Sequence, residues 1–368
     1  MPTIDVRSPV TIAAAAVLAV ILALWIAVDL ESQVEVRRSP LFTLPWGDLP
    51  GEVGRVEAGD RTFGPRSFTV AGDRIVVADT FNSRLLLLDR QGATLSVLEV
   101  PAAAQAGAIL PGVLPVSGDG GDEPAGPGVW INDLAVGSDG RYYLADAAAP
   151  RIMVLAPDGQ PAETIDIAPA APGEDPAGDA VWLVERVAVD QDGLLYLTHA
   201  YLSDALLSRR ITRLGGPDGK FAELSVSSLR EGGIATDEEG LLPVPANSFA
   251  IGLDGRLYVE AAGPNLFTRR VRSYDRDIDP GGSWDVTRPE PVHSADVLGA
   301  SPEGWVFLAV NPGRPQGRVV VLTGGGEGGV LHELDPGWNA GFEANVHARL
   351  AEDGLYVARA GPDGWSLD

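Results

Sequence analysis

Four oxygen-bearing side chains recur at one position relative to a series of turn glycines. Counting back eight residues, Gly140 leads to Asn132, Gly193 to Glu185, Gly255 to Asn247 and Gly304 to Asp296. Two carboxylates and two amide oxygens suit a hard cation such as Ca2+, which takes six or more oxygen ligands and fills its shell with water. Side chains so far apart in sequence can act together only if neighbouring repeats aim them at a common axis. A local reading competes with the metal: Asn and Asp at the start of a strand often satisfy nearby backbone groups. Arg186 stands next to Glu185 and is placed to neutralise it, which works against a metal.

The remaining chemistry is sparse. There is no cysteine, so disulfides, thiolate metal sites and cysteine nucleophiles are excluded. The histidines are His199, His293, His332 and His347, with no i, i+4 pair among them. His293 and His347 fall near the start of innermost strands and are the candidates for a base facing a channel. No nucleophile elbow, Walker loop or dinucleotide motif is present. Gly324, Gly325, Gly326 and Glu327 read as a turn between strands, since no helix follows to bind phosphate. No residue is assigned a catalytic role.

The elements that would position these residues repeat. Each unit is an apolar strand, an Asp-Gly type turn and a second apolar strand. Six copies begin at Ser67, Asn132, Glu185, Asn247, Asp296 and Val346, and their turn glycines are Gly72, Gly140, Gly193, Gly255, Gly304 and Gly354. The glycine spacings are 68, 53, 62, 49 and 50 residues. Asp-Gly between alternating apolar runs is a strong hairpin signal, and it predicts two-residue turns here. A third strand follows each hairpin, as in Arg84 to Asp89, Arg151 to Leu155, Arg269 to Tyr274 and Arg318 to Leu322. Fourth strands are expected at Thr94 to Val100, Ala162 to Ile167 and Phe221 to Val226. A period near fifty with four strands per unit is the pattern of propeller blades. The last unit is short of strands, and a propeller must close its ring. The stretch from Glu52 to Ala58 is the expected outer strand of that blade. Insertions at Pro101 to Gly128 and Ala168 to Asp179 read as surface loops.

Composition agrees with this architecture. Glycine (45) and proline (29) are abundant, as short strands and tight turns require. The net charge of -24 argues against a nucleic-acid partner. Val10 to Val28 is an uncharged apolar run of 19 residues, about 28 Å as a helix, close to the hydrocarbon thickness of a bilayer. It lacks a polar face and a small-x-small cleavage site, so an uncleaved signal anchor is expected. Charges flank it on both sides, and the positive-inside rule gives no clear orientation. The organisation expected is a tail at 1–8, a single transmembrane helix at 9–30, a linker at 31–40 and an all-β six-bladed β-propeller at 41–368, placed on the extracytoplasmic side of the cell membrane.

The run Val77 to Gly92, VADTFNSRLLLLDRQG, resembles an NHL repeat through Asp79, Asn82, Arg84, Asp89 and Gly92. Blade two keeps Asp146, Arg151, Asp158 and Gly159 but loses the Asn, and later blades depart further. That resemblance implies a propeller used mostly as a binding scaffold. Within it, Asp79 and Arg84 are expected to pair across a turn and pin the blade. The Asn132, Glu185, Asn247 and Asp296 set is similar to the senescence-marker/gluconolactonase family, six-bladed propellers whose Glu, two Asn and Asp hold a divalent metal for lactone hydrolysis. The order differs here, with Asn first and Glu second. The leading expectation is non-catalytic binding of a protein or glycan ligand on a propeller face, without a cofactor. The alternative is a metal-dependent lactonase-type hydrolase with Ca2+ in the channel.

Overall fold

A computed structural model describes residues 38–58, 61–101, 131–147, 149–167, 181–203, 206–214, 223–224, 246–263, 265–276, 279–322, 330–339 and 341–368. The expected transmembrane helix at 9–30 and nearly all of the two expected surface loops lie outside these residues. Among the described residues no helix is long and apolar enough to cross a membrane, and the only helical element is a single 3-10 turn, Thr80–Asn82.

The chain first forms β1 (Phe42–Pro45), β2 (Val56–Ala58) and β3 (Arg61–Phe63). Blade one is β4 (Ser67–Ala71), β5 (Arg74–Asp79), β6 (Arg84–Leu88) and β7 (Thr94–Glu99). Blade two is β8 (Ile131–Val136), β9 (Tyr142–Asp146), β10 (Arg151–Leu155) and β11 (Pro161–Asp166). Blade three is β12 (Val181–Val189), β13 (Leu195–Ser203), β14 (Leu206–Leu214) and β15 (Glu223–Leu224). Blade four is β16 (Ala246–Ile251), β17 (Leu257–Ala262), β18 (Thr268–Tyr274) and β19 (Pro280–Thr287). Blade five is β20 (Ala295–Ala300), β21 (Val306–Val310), β22 (Arg318–Leu322) and β23 (Val330–Leu334). A short β24 (Phe342–Glu343) precedes blade six, which is β25 (Ala348–Ala351), β26 (Gly354–Gly361) and β27 (Gly364–Leu367), with β1 as its outer strand.

These are six four-stranded antiparallel sheets. The first strand of each blade touches the first strands of both neighbours, and β25 returns to β4. The molecule is therefore a closed six-bladed β-propeller with the first strands around its axis. Its core is the set of contacts between blades. Six apolar clusters occupy the six junctions, each drawn mainly from two neighbouring blades. Strands buried on both faces explain the continuous apolar runs, such as Leu85 to Leu88, all buried.

Closure follows the expected principle through a different strand. Phe42–Pro45, and not Glu52 to Ala58, pairs with β27, running from Phe42 opposite Leu367 to Pro45 opposite Gly364. Leu44, Trp365 and Leu367 then pack with Phe68, Ile75 and Leu86 of blade one. Val56–Ala58 instead forms a hairpin with β3, which adds β24 in parallel. The Asp79 motif explains why residues 47–54 run elsewhere. Arg84 Nε donates to Asp79 Oδ2 at 2.8 Å, and its other nitrogens donate to the carbonyls of Asp48, Leu49 and Glu52. Asp79 Oδ1 accepts from the Gly54 amide at 2.8 Å, and Asn82 Nδ2 donates to Gly47 O. The motif pins the incoming chain to blade one.

The hairpins also correct one expectation. Only blades one and six turn through two residues, since Ala71 pairs with Arg74 and Ala351 with Gly354. Blades two to five use three-residue loops. In blade two Gly137 N bonds Arg141 O, and Gly140 N returns to Gly137 O. Gly140 takes φ +79° at the left-handed position of this loop, where glycine alone is unstrained.

Candidate functional site

The starts of the first strands hold the chemistry, and β-bulges decide which side chain does what. In blades two, three and four the first strand carries one residue more than its partner. Pairing jumps from Ile131–Asp146 to Asp133–Ala145, from Val184–His199 to Arg186–Thr198, and from Ala246–Ala261 to Ser248–Glu260. The extra residues are Asn132, Glu185 and Asn247. In blade five the jump comes later, between Val297 and Gly299, so Leu298 is extra and Asp296 pairs regularly with Ala309.

Pairing therefore places Asp296 with Asp133, Arg186 and Ser248, not with the other three residues of the expected set. Ser67, opposite Ala78, takes this place in blade one. His347, whose carbonyl accepts from Ala358 N at 2.8 Å, takes it in blade six. One polar residue from each blade thus surrounds the axis: Ser67, Asp133, Arg186, Ser248, Asp296 and His347.

These groups bond one another across blades. Asp133 is wholly buried. Its Oδ1 accepts from Ser67 Oγ at 2.5 Å and Arg349 Nη2 at 2.7 Å, and its Oδ2 accepts from the Val187 amide at 3.1 Å. One carboxylate thereby ties blades one, two, three and six. Arg349 Nε donates to Phe68 O. Ser248 Oγ accepts from the Val297 amide at 2.7 Å, joining blades four and five. Arg186 Nη2 lies 2.8 Å from Asp296 Oδ2, joining blades three and five. Burial works against the charged form of Arg186, but Asp296 and Asp133 outweigh it and its pKa is raised. Burial pushes the Arg349 pKa down, with Asp133 opposing.

The bulge residues form a second layer. Asn132 Oδ1 accepts from Arg66 Nη2 at 3.1 Å, and its Nδ2 donates to the carbonyls of Val184 and Glu185. Asn345 Nδ2 donates to the carbonyls of Asn132 and Glu185. Glu185 itself is half-buried. The side chain of Asn247 lies outside the described residues.

The expected metal set does not fit a divalent ion as it stands. Asn132 Oδ1 and Asp296 Oδ2, two of its oxygens, already face guanidinium groups. A bulge separates Asp296 from the layer of the other three. Among the described residues no three His, Asp or Glu side chains converge. Arg186 neutralises a carboxylate, as its sequence position suggested, but its ion-pair partner is Asp296, two blades away.

The candidate bases fare as follows. His293 is exposed. His347 is buried, set edge-on between Trp338 and Phe342 with ring centroids 5.8 Å away. Burial pushes its pKa down to about 4; Asp296 pulls it up, while Arg186 and Arg66 push it down. At neutral pH it is a neutral imidazole, and its Nδ1 has no hydrogen-bond partner. Ser67, Asp133, Ser248, Arg349 and Asn345 are network residues that sequence reasoning missed. Asp133 was one residue from Asn132, and the bulge that selects between them leaves no mark in the residue types.

No family model and no curated protein matches the chain. Solved structures similar to it include a gluconolactonase from Xanthomonas campestris, at 16% identity over 90% of this chain and 98% of that chain, TM-score 0.45. Another is virginiamycin B lyase from Staphylococcus aureus, at 13% identity over 85% and 97%, TM-score 0.42. A third is hydrazine synthase from Kuenenia stuttgartiensis, at 12% identity over 80% and 73%, TM-score 0.46.

Proposed function

We propose that the chain is a non-catalytic binding or scaffold propeller, held at the extracytoplasmic face of a cell membrane by residues 9–30, with a protein or glycan ligand on a propeller face. The observation that carries this reading is the state of the axial polar groups. Asp133, Arg186, Ser248, Asp296 and Arg349 are engaged in bonds between blades, and the buried His347 is neutral at working pH. A hydrolase needs a nucleophile or an activated water next to a base of matched pKa. These groups instead hold the ring together and leave the faces for recognition. The uncharged run Val10 to Val28 supports the anchor.

The test is an assay of the full-length chain against lactones and esters, with and without added Ca2+. No turnover is expected. Turnover that a chelator removes, or that Asp296→Asn lowers, would favour the hydrolase. Carbonate extraction of membranes tests the anchor: the protein should stay in the pellet, and a soluble form shortened by thirty-odd residues would instead identify a cleaved signal peptide.

A further inference from the structure

Two buried nitrogens meet at the junction of blades five and six. Trp338, between β23 and β24, is 3% exposed, and His347, at the axial position of blade six, is 6% exposed. Among the described residues neither Trp338 Nε1 nor His347 Nδ1 has a hydrogen-bond partner. The two rings are neighbours, with centroids 5.8 Å apart and an interplanar angle of 65°. The other axial groups behave differently: Ser67, Asp133, Ser248 and Asp296 are all bonded across blades.

The surroundings fix both rings without bonding either nitrogen. The loop from Asn311 to Gly317, which joins β21 to β22, lies against them. A Cβ at Gly313 would stand 2.7 Å from His347 Cε1, and one at Gly317 would stand 2.6 Å from Trp338 Cε3. Bare backbone therefore backs each ring on that side. The loop is itself tied down. Asn311 N donates to Ser294 O, Asn311 Oδ1 accepts from the amides of His293 and Ser294, and Asn311 Nδ2 donates to Pro291 O. Arg314 N returns to Asn311 O, and Gly317 N to Arg314 O. The remaining neighbours present carbon. Phe342 meets His347 edge-on at 88°, and Leu298, Val319 and Val357 pack with Trp338.

The two nitrogens differ in kind. An indole nitrogen only donates, whereas a neutral imidazole has one N–H and one lone pair. The backbone group that acts on the imidazole is the Ala344 carbonyl, which takes an N–H. Nδ1 has no partner, so that N–H is on Nε2, and Nδ1 keeps the lone pair. The junction thus offers one donor and one acceptor side by side. A water molecule both accepts and donates, and buried waters settle where polar groups lack other partners.

We infer that one water molecule is bound at this junction, accepting from Trp338 Nε1–H and donating to His347 Nδ1. It joins the chain leaving blade five to the start of the axial strand of blade six. The site is independent of the binding role proposed above. It is enclosed, so its ligand is water and not a larger solute.

The test uses crystals of the full-length chain and of Trp338→benzothienylalanine, which sets sulfur in place of Nε1–H and keeps the shape of the ring. The unaltered chain should show one solvent peak within about 2.7 to 3.2 Å of both nitrogens. The sulfur variant should lose that peak while both rings stay in place. In solution, the imidazole nitrogen shifts of the unaltered chain should show the proton on Nε2 and a hydrogen-bonded lone pair on Nδ1; this measurement decides the matter even if the variant fails to fold. Absence of the peak from the unaltered chain would overturn the inference. So would its full survival in the sulfur variant, or a direct bond between the two nitrogens. A proton found on Nδ1 would overturn it as well, since the water could not then donate there.

Discussion

Asp133→Asn is the sharpest test of the axial network. The substitution keeps the shape and removes the charge. Asp133 is 0% exposed and accepts from Ser67, Arg349, Leu134 N and Val187 N. An amide has one acceptor oxygen, so its NH2 must face a donor: the Val187 amide on one side, or Arg349 and Ser67 on the other. A buried donor left without an acceptor costs about 1–3 kcal/mol. Removing one partner of a buried ion pair costs about 3–5 kcal/mol, because the other charge stays behind. The two overlap, since both count the stranded Arg349, so a loss of about 3–5 kcal/mol is expected by urea denaturation at pH 7. Asp296→Asn is the comparison. Asp296 is 19% exposed at the side chain, water reaches it, and its loss should be smaller, about 1–3 kcal/mol. Adding Arg349→Met to Asp133→Asn should recover part of the loss. If Asp133→Asn costs under about 1 kcal/mol, or no more than Asp296→Asn, the carboxylate does not hold the blades together.

Three other outcomes are expected. Trp365→Ala should cost about 3–5 kcal/mol in the same assay, because Trp365 is 1% exposed and meets Phe68 edge-on at 5.8 Å; a loss near zero would mean that blade six does not close against blade one. His347 has its pKa lowered to about 4, so below the ordinary value the unfolded chain binds the proton more readily than the folded one. The stability it contributes is therefore full above about pH 6.5 and falls as pH drops toward 4, by up to about 1.4 kcal/mol per pH unit; the fall between pH 6.5 and 4.5 should be shallower in His347→Gln. Calorimetric titration with Ca2+ should show no axial binding, and identical traces for the unaltered chain and Asp296→Asn; heat lost in the variant would restore the metal reading.

Much of the architecture was legible in the sequence because it repeats. Each blade spends a glycine at its first turn and an apolar run on each inner strand, and six copies count the blades. Finer features were illegible for definite reasons. A glycine at the turn serves two-residue and three-residue loops alike, so Gly140 could not report which it closes. Counting back from the turn glycine is sound only where the blades bulge at the same place. Blades two, three and four do, at Asn132, Glu185 and Asn247, so these three are equivalent; blade five bulges at Leu298 instead, which puts Asp296 on a different rung. The sequence points to Glu52 to Ala58, next to blade one, as the closing strand. Arg84 holds the carbonyls of Asp48, Leu49 and Glu52 at and before the start of that stretch, and Val56–Ala58 pairs with Arg61–Phe63, which leaves the earlier Phe42–Pro45 to complete the ring.

That closure has a consequence for how the ring forms. Phe42 lies opposite Leu367, so the last rung joins residues more than three hundred positions apart. Every other blade assembles from strands that follow one another along the chain, whereas this one waits for both ends to meet. Loop-closure entropy grows by about 0.6 kcal/mol for each doubling of the intervening chain. Compared with a tight hairpin, the latch spans about six doublings, roughly 4 kcal/mol of entropy to be met before its contacts form. Folding should therefore run from locally built blades to a late encounter of the termini, with the faces of blades one and six bare until then. Moving Phe42–Pro45 to follow Asp368 in a circular permutant would turn that distant encounter into a local hairpin and shorten the wait.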